Sequence, residues 1–129
     1  MEINIIIVDN FLEKPDLVRQ SALSLNFYER GDFPGLRSDR ADEDYERYIK
    51  EKIENIMNKK IKSFLMDSFR FQLCIDNDNT WIHKDPSEWA AVLYLTPNAP
   101  VQSGTGIYSG EEGNWLLTTA MGNVYNRLV

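Results

Sequence analysis

The hydrophobic period of this chain changes once along its length, and that change limits the folds open to it. In KPDLVRQSALSL, Val18, Ala22 and Leu25 fall at i, i+4 and i+7, and Pro15 stands where a first helical turn tolerates proline. In ADEDYERYIKEKIENIMNKKI, residues 41–61, Tyr45, Ile49, Ile53 and Ile56 keep the same helical spacing. Acids gather at the start of this second segment and Lys59, Lys60 and Lys62 at its end, a polarity that suits the helix dipole. From residue 68 the period drops to two. SFRFQLCID sets Phe69, Phe71, Leu73 and Ile75 on one face and Arg70, Gln72 and Cys74 on the other, which predicts a strand.

Further strands are expected at INIIIV (3–8), TWIHKD (80–85), WAAVLYLT (89–96), GTGIY (104–108) and VYNRLV (124–129), while EEGNWLLTTAMGN fits either state. GDFPGLRSD (31–39), with Gly31, Pro34 and Gly35, reads as a loop, and NDN (77–79) as a turn. Helices that precede a run of short strands indicate an α+β fold, with the helices covering one outer face of a sheet. A length of 129 residues predicts a single domain, 1–129.

The net charge of −6 argues against general affinity for nucleic acid or anionic membrane. A single cysteine, Cys74, allows no internal disulfide. The first residues lack the basic start and long apolar run of a signal peptide, so a soluble, cytoplasmic protein is expected. Cys74 is expected to be buried filler, and the acids at 42–46 and 111–112 to be solvated faces.

WIHKDPSEW contains the only histidine, His83, two residues before Asp85. On a strand, positions i and i+2 share a face, and Pro86 biases Asp85 towards extended backbone. An imidazole nitrogen and a carboxylate oxygen placed in this way can reach one metal ion. A facial site for non-haem Fe(II) needs two histidines and one carboxylate and leaves three positions open. Taken alone, His-x-Asp fits equally a hydrogen-bonded pair at a strand end. No serine stands in a nucleophile-elbow pattern, and one histidine excludes the common catalytic zinc sets.

The stretch HKDPSEWAAVLYLTPNAPVQSGTGIY resembles the Fe(II)- and 2-oxoglutarate-dependent dioxygenases, especially their prolyl-hydroxylase-like branch. His83 and Asp85 match that family's His-x-Asp. Tyr94, Leu95 and Thr96 match its Tyr-Leu-polar strand end, and Ser103, Gly104, Thr105 and Tyr108 its Gly-Gly-Thr-like turn and aromatic. VDNFLEKPDLVRQSAL looks like its opening strand and helix, and FPGLR like the loop that follows. The resemblance implies a double-stranded β-helix (jelly roll) with two N-terminal helices packed on one sheet. It makes His83 and Asp85 two of three iron ligands, and Tyr94 a contact for the 2-oxoglutarate carboxylate. An amphipathic core tyrosine is the equal alternative for Tyr94. Packing roles are expected for Thr105 and Trp81, and a solvated place for Arg37.

The family's second iron histidine, and the basic residue that meets the far carboxylate of 2-oxoglutarate, lie beyond the NRLV-like segment. The matching strands are missing here. The chain is therefore expected to be a fragment of a longer oxygenase with an unidentified substrate, poorly active by itself. Two further readings stand beside it: a short form completed by a second subunit, and a non-catalytic jelly-roll binding or self-assembly module. An open apolar edge at VYNRLV would invite homo-oligomers.

Overall fold

The computed structural model describes residues 5–75, 81–111, 113–121 and 124–129. It is a mixed α+β structure of two helices and small antiparallel sheets. The chain divides into two compact units, Met1–Ser21 with Trp81–Val129, and Ala22–Thr80. The expected turn at 77–79 lies outside the described residues. Among the described residues no helix is long and apolar enough to cross a membrane.

In the unit built from the middle of the chain, helix α2 (Glu43–Met57) follows the first two strands of a three-stranded sheet and precedes the third. Asp42 caps the helix: its side chain accepts the Tyr45 backbone N–H at 2.8 Å. Asn58, left-handed at φ 52°, stops it. Lys59, Lys60 and Lys62 thus lie beyond the helix, which corrects the expected basic last turn. The apolar face buries Ile49, and the Tyr45 ring rests against Phe71 at 5.7 Å between centroids.

The sheet of this unit runs β1 (Phe27–Gly31), β2 (Phe33–Arg40), β3 (Arg70–Leu73), all antiparallel. The loop expected over 31–39 is instead mostly strand β2. Its Gly and Pro do not break the strand, because Gly35 is what lets β3 approach. Gly35 has φ +73°, and a Cβ there would stand 2.2 Å from the Leu73 carbonyl oxygen. Ser38, fully buried, accepts the Phe71 N–H on its hydroxyl at 3.1 Å and ties the same two strands. The strand expected over 68–76 is shorter, because Phe69 takes φ 61° and β3 begins only at Arg70.

The other unit is held at one residue. Asn126 is buried, with φ 64°. Its side-chain oxygen accepts the Leu12 N–H at 2.8 Å, and its Nδ2 donates to the Leu12 carbonyl at 2.8 Å. Its backbone N–H donates to the Tyr94 carbonyl at 2.8 Å, and its carbonyl accepts the Phe11 N–H at 3.0 Å. Phe11 and Leu12, the residues so bound, are the buried apolar side chains among the described residues of this unit. Directly after Asn126, β7 (Arg127–Leu128) pairs with β4 (Leu93–Tyr94) on one side and with Val8 on the other. The edge expected to be open along VYNRLV thus has a partner on each side at Leu128. Arg127 adds a fork onto Asp9, Nε to Oδ1 at 2.6 Å, and holds that carboxyl below its ordinary value. Strands β5 (Thr105–Ser109) and β6 (Leu116–Met121) form a separate hairpin sheet, which settles the ambiguous 111–123 segment in part as strand. Helix α1 (Pro15–Leu23) buries Ala22.

Asn126→Ala leaves the Leu12 N–H and C=O unpaired in a buried site, so it should cost about 3 kcal/mol in urea denaturation. Asn126→Gly, which keeps the left-handed backbone free of strain, should cost somewhat less. For Tyr45, burial raises the phenol to about 12. The folded state thus keeps a proton that the unfolded chain releases near its ordinary value, and this contribution to stability is complete below about pH 10 and is lost as pH rises towards 12. The difference in stability between the wild-type chain and Tyr45→Phe, followed by circular dichroism from pH 9 upward, should narrow over that interval.

Candidate metal-ligand pair and its surroundings

His83 and Asp85 do meet. The His83 Nε2 lies 3.3 Å from Asp85 Oδ1, and both side chains are about half exposed. The strand expected to present them does not form: residues 81–85 have no ladder, and 86–88 bend. Without a neighbouring strand to take up the backbone groups, the i, i+2 proximity is a local property of this segment. The side chains open to solvent rather than into the mouth of a barrel.

The orientation of the imidazole follows from its second nitrogen. Nδ1 stands 2.9 Å from the Trp81 carbonyl oxygen. A carbonyl only accepts, so Nδ1 carries a proton and donates it. In the neutral ring Nε2 then holds a lone pair, and that lone pair faces a carboxylate oxygen. Two acceptors 3.3 Å apart are favourable neighbours only with a proton or a cation between them. Metal–nitrogen and metal–oxygen bonds of ~2.1 Å on adjacent positions put the two donors about 3 Å apart, so the pair suits two sites on one divalent ion. Among the described residues no group of three or more His, Cys, Asp or Glu side chains could hold a metal together.

Tyr94 stands on β4, half-buried, and its hydroxyl is hydrogen-bonded to that of Thr105 at the start of β5. Thr105 was expected only to pack; the bond gives it a polar role. No hydrogen bond joins Tyr94 to His83 or Asp85. The structure therefore assembles the expected residues as two pairs, His83 with Asp85 and Tyr94 with Thr105.

Three side chains depart from expectation. Trp81 is no core residue: it is 49% exposed, with its ring 5.7 Å from that of His83. Cys74 is exposed rather than buried, its Sγ 3.6 Å from the Pro34 carbonyl, because β3 ends one residue before it. Arg37 is anchored, stacked at 3.8 Å over Phe33 and donating from Nε to Gln72 at 3.0 Å. The sequence signal for Trp81 was present, since it shares the i, i+2 series of His83 and Asp85, but tryptophan's apolar bulk assigned it to the core.

No protein-family model, no curated protein and no solved structure matches the chain.

The Tyr94–Thr105 bond predicts energetic coupling. Tyr94→Phe and Thr105→Val should each cost about 1 kcal/mol in denaturant titration, and the double variant about as much as either alone. Strictly additive losses would show that the hydroxyls do not share a bond.

Proposed function

We propose that this chain carries part of the iron site of an Fe(II)- and 2-oxoglutarate-dependent oxygenase that hydroxylates an unidentified substrate. His83 supplies Nε2 and Asp85 a carboxylate oxygen, and Tyr94 supplies a hydroxyl for the carboxylate of the co-substrate. The observation that carries this reading is the Nε2 of His83 turned onto Asp85 at 3.3 Å, with Nδ1 tied back to the Trp81 carbonyl. Metal-ligating histidines characteristically donate their other ring N–H to a carbonyl or carboxylate in this way.

The fold that goes with the reading is a double-stranded β-helix. The unit that holds His83, Asp85 and Tyr94 has two two-stranded antiparallel sheets, β4 with β7 and β5 with β6. Bound iron, with 2-oxoglutarate and oxygen, supplies the oxidising power for hydroxylation, and the chain's own residues bind and orient. Asp85 offsets part of the ion's charge. The Trp81 carbonyl keeps the His83 proton on Nδ1, so that Nε2 stays a donor. The Tyr94 hydroxyl, already bonded to Thr105, presents a polar group that a carboxylate can accept from. With one histidine in 129 residues, a second imidazole ligand cannot come from this sequence. Two ligands make for weak metal retention and little turnover.

The test is Mn(II) titration followed by the loss of the free-ion electron paramagnetic resonance signal. One weak saturable site is expected, lost in His83→Ala and in Asp85→Asn while the circular dichroism spectrum stays unchanged, since both side chains are half exposed. Added 2-oxoglutarate should tighten the site, and Tyr94→Phe should remove that effect. Iron-dependent succinate formation should be slight. Absence of a saturable site, or a site indifferent to His83→Ala, would leave a non-catalytic binding module as the better description.

A further inference from the structure

Trp81 makes two contacts with the same imidazole, one through its backbone and one through its ring. We infer that Trp81 is the positioning residue of His83: its carbonyl fixes the tautomer and its indole fixes the ring plane, so that Nε2 is the donor offered to a cation. The inference rests on the metal reading of His83 and Asp85, and it adds a residue whose role nothing in the ligand pattern assigns.

A histidine side chain in water prefers its proton on Nε2, which would leave Nδ1 as the free donor. Here the order is reversed, because Nδ1 donates to the Trp81 carbonyl at 2.9 Å. That bond closes a small loop within one short segment, and it survives only while the imidazole stays turned back towards its own chain. A half-exposed histidine on an irregular segment has rotamers that point into water instead.

The indole is what restricts that rotation. Its centroid lies 5.7 Å from the imidazole centroid, the planes inclined at 46°, within the range where aromatic rings attract. An indole that is 49% exposed on an irregular segment contributes little to a core. Its ring contact is with the imidazole. Without the ring, His83 gains rotamers in which Nδ1 leaves the carbonyl and Nε2 leaves Asp85.

The experiment uses the single histidine, whose two ring nitrogens give one unambiguous pair of signals in a ¹⁵N-labelled chain. Long-range ¹H–¹⁵N correlation, followed to alkaline pH until the ring-nitrogen signals stop changing, reads the tautomer directly. The wild-type chain should show the proton on Nδ1. Trp81→Ala should return the ring to the Nε2–H form that predominates in water, and Trp81→Phe should keep the wild-type pattern. In parallel, Mn(II) affinity should fall about tenfold in Trp81→Ala and stay near wild type in Trp81→Phe. A wild-type ring protonated on Nε2, or a Trp81→Ala variant unchanged in both tautomer and affinity, overturns the assignment. If the wild-type chain shows the Nδ1–H tautomer, and loses it in Trp81→Ala, but takes up no Mn(II), the positioning role of Trp81 stands and the metal reading falls.

Discussion

Four hydrogen bonds at Asn126 hold together one of the two units of this protein. The residue is buried, and it works from both its side chain and its backbone on Phe11, Leu12 and Tyr94. A primary amide is the side chain that can meet a backbone N–H and C=O together, donor against acceptor, as a neighbouring strand would. Asparagine also tolerates the left-handed conformation found here at φ 64° better than most other residues. The two requirements, amide chemistry and positive φ, make this a narrow position. Around it are arranged the unit's buried apolar pair, the β4–β7 pairing and the bridge from Leu128 to Val8.

The chemistry of the proposed site depends on that clamp unequally. Tyr94 is attached to it directly, because its carbonyl takes the Asn126 N–H. The Tyr94 hydroxyl then extends the network to Thr105 and the β5–β6 hairpin. His83 and Asp85 are arranged by short-range contacts instead: carbonyl to Nδ1, Nε2 to carboxylate, indole beside imidazole. A local arrangement of this kind can present two donors without a strand ladder beneath them. It also leaves them open to water, where ionic contacts are weaker than in a dry pocket.

Much of this was legible in the sequence. The helical spacing of Tyr45, Ile49, Ile53 and Ile56 reports a real amphipathic face, and Asp42 is a cap of the preferred kind. The alternation of Phe71 and Leu73 reports a real strand. What failed was punctuation and partnership. Gly35 and Pro34 look like loop residues until the close approach of the Leu73 carbonyl shows why a glycine belongs inside β2. TWIHKD, 80–85, has the residue types of a strand, but a strand exists only where a neighbour accepts its backbone groups, and residue type carries no information about that. The role of Asn126 was invisible for a similar reason. Its four bonds reach residues more than thirty or a hundred positions away, and no local pattern marks them. For the site, the residue types were readable and their pairing partly so: His83 with Asp85 followed from spacing, whereas Thr105 with Tyr94 and Trp81 with His83 needed coordinates.

The proposed site would hold one divalent cation between His83 and Asp85. A crystal of the protein grown with Mn(II), with diffraction data collected for the anomalous signal of manganese, tests it most directly. An anomalous peak is expected about 2.1 Å from both Nε2 of His83 and a carboxylate oxygen of Asp85, with the Nδ1 contact to the Trp81 carbonyl retained. A map with no peak there, or one whose strongest peak lies among the acids of residues 42–46, would contradict it.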